Sequence, residues 1–373
     1  MFVYLFLPLI IVYFLFISRT MVIRSSKFDN NEIFVDKNNI TLYIWFVILL
    51  SLAAFKGIEV GSDYPMYYNF FVNQSYGGIE LGVQFIFNLV AQFNSFVIFS
   101  FVVYFIFLNF IFQGIKKNTP NYLISVLVLI LSYTYFASYN QIRQMIAVSL
   151  IFCFVEYLVT NNRFDKIKFL LIIFIAFLFH TSAIFLLVLL LIPSKKINPR
   201  FVIPLFLLTI FLYFIPEFKN QAGEIISYFS GFYGEKYSGR EAFFFGVNKE
   251  KGLLQLLPVI IQMIIVVFSL YFSRYKDSIN INNKLYNLST NIVVVNLCLY
   301  SLAGIEAIDR IQVYFSCFNI YFYSILLHLL FNHDKKTYGF LMAVLIIAFL
   351  LLYFTLRLIN NIHGIVPYTL FEF

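Results

Sequence analysis

Arg143, Arg310, Lys56 and Arg357 are cations standing at the ends of apolar segments, where charge is expensive. An arginine presents a planar fork of donors that matches a phosphate, and partial burial strengthens the attraction. His180 lies in Phe179-His180-Thr181-Ser182, in the middle of a long apolar stretch. Histidine is the side chain best suited to accept a proton near neutral pH. Asp63 precedes Tyr64, Tyr67, Tyr68 and Phe71, which recur at helical spacing. These residue types point to chemistry on an anionic substrate. Cations would hold a phosphate, a carboxylate or imidazole would take a proton, and aromatic rings would stack on a sugar.

The elements that position these residues are set by composition. The 373-residue chain is 61% hydrophobic and 12% charged, against roughly 25% charged in soluble domains. Apolar stretches near the length of a membrane span, about 20 residues, recur from end to end. The fold class is therefore all-α: a polytopic integral membrane helical bundle of about 11–12 membrane segments, one of them a broken or re-entrant pair. It reads as one transmembrane domain over residues 1–373. Residues 56–95 form a first outer segment with an amphipathic aromatic helix, and residues 216–252 form a long outer loop. The net charge of +8 sits in membrane-flanking loops, so it reports topology and not nucleic-acid binding. Cys153, Cys298 and Cys317 fall inside apolar segments, with neither a disulfide framework nor metal-ligand spacing.

Sidedness follows from where Lys and Arg fall. No basic residue precedes the first apolar run, Phe2–Ser18, while Arg19, Arg24 and Lys27 follow it. The run reads as an uncleaved span with its N-terminus outside and the 19–39 loop inside. Leu81–Phe93 is short and is laid in the interface, which keeps Lys116 and Lys117 inside. Phe169–Ile192 is read as two half-length helices turning at His180. A single span there would put Lys195, Lys196 and Arg200 outside. On this topology 216–252 and the C-terminus are outside and 273–285 is inside. His180, Arg143 and Asp63 share the outer face with Lys56, Arg310 and Arg357.

Each constellation has a plainer reading. The Tyr64–Phe71 stripe fits an interfacial helix with tyrosines at the headgroups. Arg143 fits a snorkelling side chain. His180 fits a packed core histidine, and Asp309 beside Arg310 fits a local charge balance. The short segments Val60-Gly61-Ser62-Asp63-Tyr64, Glu80 before an apolar helix, Arg143-Gln144 with Ala147 and Phe179-His180-Thr181-Ser182-Ala183 occur in that order. Asp309-Arg310 with Tyr314-Phe315, and then Pro367-Tyr368, follow them.

In that order and spacing they resemble the Wzy-type bacterial polysaccharide polymerases, in the branch called EpsG-like. Lys56 stands where that family usually has Arg, which keeps the charge and loses the fork. The resemblance implies an inner-membrane glycosyltransferase that joins O-antigen or exopolysaccharide repeat units carried on undecaprenyl pyrophosphate. The reaction would take place at the periplasmic face without metal or other cofactor. On it, Arg143 and Arg310 stabilise the leaving pyrophosphate, and His180 or Asp63 serves as base. Lys56, Tyr64, Tyr67, Tyr68, Glu80, Gln144 and Asp309 bind substrate. The partners implied are the lipid-linked oligosaccharides, the bilayer, and a flippase and chain-length regulator of the same pathway.

Three other readings compete. A metal-dependent multi-span glycosyltransferase would use Glu59 and Asp63 as ligands. A lipid-linked oligosaccharide flippase would need charge along its path. An acyltransferase would use His180 but leave the arginines without an anion.

Overall fold

A computed structural model describes residues 1–20, 37–160, 162–229, 241–247, 252–272, 282–333 and 336–372. Most of the 19–39 loop, most of 273–285 and the middle of 216–252, with Tyr233 and Tyr237, lie outside the described residues.

The described chain is helical, and its only β pairings are isolated bridges joining Lys56 to Leu370 and Val247 to Ile305. Five stretches among the described residues are long and apolar enough to cross a membrane: Phe96–Asn118, Gln255–Phe272, Asn283–Leu302, Glu306–Phe331 and Thr337–Ile359. A bent pair makes a sixth, and shorter apolar helices fill in between. The protein is a polytopic helical membrane protein, as its composition requires.

Two compact units emerge, Met1–Cys153 with Tyr323–Phe373, and Phe154–Phe322. The first begins with α1 (Phe2–Thr20), α2 (Lys37–Ala54), α3 (Tyr64–Asn73), α4 (Leu81–Ala91), α5 (Phe96–Asn118), α6 (Tyr122–Leu131), α7 (Thr134–Ala137) and α8 (Ile142–Phe154). The second holds α9 (Arg163–Phe179), α10 (Pro199–Tyr213), α11 (Pro216–Phe229), α12 (Glu241–Phe245), α13 (Leu253–Phe272), α14 (Asn283–Cys298) and α15 (Glu306–Ser316). After α16 (Asn319–Phe331), α17 (Lys336–Ile359) completes the first unit.

Asparagines start several helices. The side chains of Asn121, Asn162, Asn198 and Asn282 accept from Ile124, Phe164, Arg200 and Leu285 backbone N–H groups. Each satisfies an orphan donor of the first turn. In the first unit α2 packs on α5 and α6, α1 and α17 pack on α6, and α4 packs on α5. The core of α6 is buried at every position from Leu123 to Leu131, which explains its unbroken apolar run. Helix α4 has 11 residues, about 16 Å by helix rise, too short to span, as the reading of Leu81–Phe93 anticipated.

The chain breaks at His180, as its polar neighbours suggested. His180 has extended backbone (φ −155°, ψ 119°) and ends α9. The limb beyond it, Thr181–Leu191, is a 3₁₀ helix that packs against α9. The first limb is longer than the half-length helix expected, because it starts at Arg163. A second break is more abrupt. Helix α11 turns 94° away from α10, at Phe214-Ile215 just before Pro216, a residue that disfavours helical backbone in its predecessor. The first part of 216–252 is thus an amphipathic helix and not loop.

Candidate functional site

In the first unit the chain between α2 and α3 is a braced turn that carries Asp63. Gly61 adopts φ +111°, and a Cβ there would run into the Tyr139 carbonyl oxygen, so only glycine fits. The Ser62 and Gly61 N–H groups donate to the carbonyls of His363 and Gly364, each at 2.9 Å. The Gly57 N–H donates to Thr369 O at 2.8 Å, and Phe371 N–H to Phe55 O at 2.9 Å. Asn140 supplies the other brace: its Oδ1 accepts from the Asp63 N–H at 2.7 Å and from Ser62 Oγ at 2.8 Å. Asp63 itself is exposed, at the N-cap position of α3, with no side-chain cap bond. Its carboxylate is left at the surface beside this turn.

Lys56 belongs to the turn's foundation. It is fully buried, its Nζ donates to Val60 O at 2.7 Å and lies over the Tyr64 ring, with Tyr104 and Tyr139 rings 5.8 and 5.4 Å away. Burial pushes its pKa well below the ordinary lysine value. No surface of Lys56 is open to substrate, so the binding role expected of it gives way to a structural one. A compact ammonium suits this aromatic cage, which accounts for lysine where a fork would have no second acceptor.

The aromatic stripe of α3 also faces inward. Tyr64 and Tyr67 are buried, Tyr64 OH donates to Ser100 Oγ at 2.6 Å, and the Tyr68 and Phe71 rings pack on Phe96. The expected sugar-stacking face therefore docks the helix on the protein. Tyr68, half-buried, is the stripe's tyrosine with surface to offer.

Arg143 is brought onto this helix. Its Nε donates to Tyr67 OH at 3.0 Å and its Nη1 to Glu80 Oε2 at 2.5 Å. The Arg143 side chain keeps 24% exposure while that of Glu80 keeps 4%. Glu80 is thus the arginine's counter-ion and positioner and has little surface for substrate. The ion pair fixes the guanidinium plane, leaving its remaining donors for a ligand. Asp63 lies near enough to act electrostatically on Tyr67, so Asp63, Tyr67, Glu80 and Arg143 form one cluster. Gln144 is buried and offers no exposed face.

The second unit holds a separate cluster. His180 is buried, and its turn is tied to α15 by Ser182 Oγ and Tyr314 OH, 3.1 Å apart. One helical turn before Tyr314 stands Arg310, half-buried, whose Nε donates to Glu306 Oε1 at 3.0 Å. The Arg310 Cζ also lies 4.8 Å from the centroid of the Phe244 ring. The four-residue spacing with the acid first is the favourable helical orientation, so Glu306 pairs with Arg310 across one helical turn. Asp309 is half-buried on the same turn.

The EpsG family model matches residues 39–370. The chain belongs to the EpsG family. That span takes in both clusters and the 361–370 segment that braces Asp63. Membership makes this EpsG-family protein an exopolysaccharide or O-antigen-type polymerase in general terms. No curated protein matches the chain, and no solved structure matches it. The sequence reading gave no site role to Glu306, Tyr314, Asn140 or the carbonyls of His363 and Gly364. A capping-type Asn three residues before Arg143 and an acid four before Arg310 were the available signals.

Two predictions arise from this EpsG-family geometry. Asn140→Leu removes both acceptor contacts to the Asp63 turn and is expected to lower polymer formation about tenfold, since two exposed hydrogen bonds of roughly 0.7 kcal/mol each are lost. Asn140→Asp, which keeps an acceptor oxygen, should restore most of it. Hydrogen exchange at residues 57–64 should rise only in the Leu variant.

The second concerns His363. Burial, and then the nearby Arg357 charge, lower its pKa from 6.5 to about 4. The unfolded chain therefore binds a proton that the folded strap refuses. Stability from the neutral imidazole is complete above pH 6.5 and is lost as pH falls toward 4. Exchange of the 361–366 amides, corrected for intrinsic rate, should accelerate from pH 7 to 5, and His363→Gln should flatten that dependence.

Proposed function

We propose that the protein polymerises oligosaccharide repeat units carried on undecaprenyl pyrophosphate, at the periplasmic face of a bacterial inner membrane. EpsG-family membership and the Arg143–Tyr67–Glu80 arrangement support this reading. A hydroxyl of the acceptor unit attacks the anomeric carbon of the donor, a C–O bond forms, and the bond to the carrier's pyrophosphate breaks. Charge develops on the leaving pyrophosphate, and Arg143, oriented by Glu80 in the first unit, is a donor placed in advance for such charge; Arg310, oriented by Glu306, is the corresponding donor of the second unit. The hydroxyl proton passes to His180 or Asp63, the acceptors proposed for the second and first units. Tyr68 and Asp309 contact sugar or carrier.

The observation that carries the proposal is the pairing of Arg143 with Glu80 and of Arg310 with Glu306. The test is the glycan of a strain lacking the protein, analysed with and without the restored gene. A missing polymerase leaves single repeat units on the final acceptor or on the lipid carrier, and restoration returns the ladder. An absence of repeat units on the outer face would replace this reading with lipid-linked oligosaccharide export.

A further inference from the structure

Of the four cations at the ends of apolar segments, Arg143 and Arg310 are paired with carboxylates and Lys56 is buried in its tyrosine cage. Arg357 differs. It lies in the last turn of α17, half-buried, and no carboxylate among the described residues pairs with it. Its Nη1 donates to Tyr353 OH at 2.9 Å, and its Cζ lies 4.7 Å from the centroid of the Tyr133 ring. Its Nε is buried and makes no hydrogen bond among the described residues. A buried donor without an acceptor costs about 1–3 kcal/mol, and such groups in native proteins call for an explanation such as an ion.

The surroundings are held at some expense. Tyr133 (φ +66°), Asn361 (φ +46°) and His363 (φ +72°) are left-handed residues that are not glycine, a conformation that accumulates at functional sites. The His363 ring stacks near-parallel on Tyr133, 5.9 Å between centroids, and Tyr133 OH donates to Ile362 O at 2.9 Å. One cation, one imidazole and two phenols thus converge at the strap that holds the Asp63 turn.

We propose that Arg357, with His363 and the Tyr353 hydroxyl and against the Tyr133 ring, forms a binding site for a phosphate group borne by a lipid. The chemistry is that of an uncompensated guanidinium walled by aromatic rings, with neutral donors at its edge. Arg143 and Arg310, whose charge is already balanced, suit transient charge better than standing anions. Arg357 suits the standing anion. A helix C-terminus repels anions and attracts cations. An arginine serving only that dipole could be replaced by lysine, whereas one that forks a phosphate could not. The site deepens the polymerase reading by assigning a place for the carrier's phosphate, and a bilayer headgroup would be recognised by the same chemistry.

The experiment uses the full-length protein in lipid nanodiscs and measures retention of two probes, a polyprenyl diphosphate and phosphatidylglycerol. Arg357→Ala is expected to lower retention of at least one probe tenfold or more, with Arg357→Lys intermediate and Tyr353→Phe reduced two- to threefold. Selective loss of the diphosphate supports the site with the carrier as its source. Selective loss of phosphatidylglycerol, or loss of both, supports it with the headgroup as source. Unchanged retention of both probes in folded Arg357→Ala overturns the proposal. If the Ala variant fails to fold, unchanged retention in Arg357→Lys and Arg357→Gln does so. Retention needs no turnover, so a protein that binds the probes through Arg357 and makes no polymer refutes the polymerase reading alone.

Discussion

Arg143→Ala should abolish polymer while the protein still inserts in the membrane. Loss of a positioned donor to developing pyrophosphate charge costs about 3 kcal/mol, roughly a hundredfold in rate. The structure adds a second effect. Glu80, whose side chain is 4% exposed, would lose its counter-ion, and an uncompensated buried charge costs about 3–5 kcal/mol. The two effects separate in the double variant Glu80→Gln/Arg143→Ala, which should recover thermal stability and stay inactive. Arg143→Lys should be impaired as well, because one ammonium cannot keep the fork that serves Tyr67 and Glu80 together. Wild-type ladders from Arg143→Ala at matched protein levels would remove the anion argument. A double variant as unstable as the single would remove the charge-compensation argument.

His180→Gln is expected to insert normally and make little or no polymer. Glutamine preserves size and hydrogen bonding, so a purely packed histidine would tolerate it. It cannot accept a proton at neutral pH, and loss of a general base costs about 10²–10⁴ in rate. The tie between Ser182 and Tyr314 supplies a control: Tyr314→Phe loosens the turn but leaves the imidazole in the chain and should cost far less. Wild-type polymerisation by purified His180→Gln protein would make His180 structural and leave Asp63 as the candidate base.

The fold was legible where it depended on composition and local pattern. Phe96–Asn118 and Leu253–Phe272 announce themselves as apolar helices, and Pro65 with the Tyr64–Phe71 spacing announces α3. The break at His180 was legible too, because Thr181 and Ser182 interrupt an otherwise apolar run. What the pattern could not give was direction. Spacing shows that Tyr64 and Tyr67 share a face but not whether that face meets sugar or protein; the inward answer depends on Phe96 and Ser100, more than 25 positions away. Partnership was equally hidden. The charge order drew attention to Asp309 beside Arg310, and helical geometry also brings Glu306, four residues earlier, onto the guanidinium. Glu80 was drawn to substrate only because Arg143, its counter-ion, is 63 residues distant.

The brace on the Asp63 turn has a consequence for the order in which the protein is made. Ser62 is held by His363, 301 positions later in the chain. Helices α2 and α3 can form and insert as soon as they are synthesised, but the carbonyls that fix Gly61 and Ser62 do not yet exist. Contacts at such separation form last. A nascent chain therefore carries its early aromatic cage and its arginine pair long before its exposed carboxylate is set in place. An incomplete chain would sit in the membrane with the turn unbraced, and synthesis of the strap near residue 363 is the step that completes it.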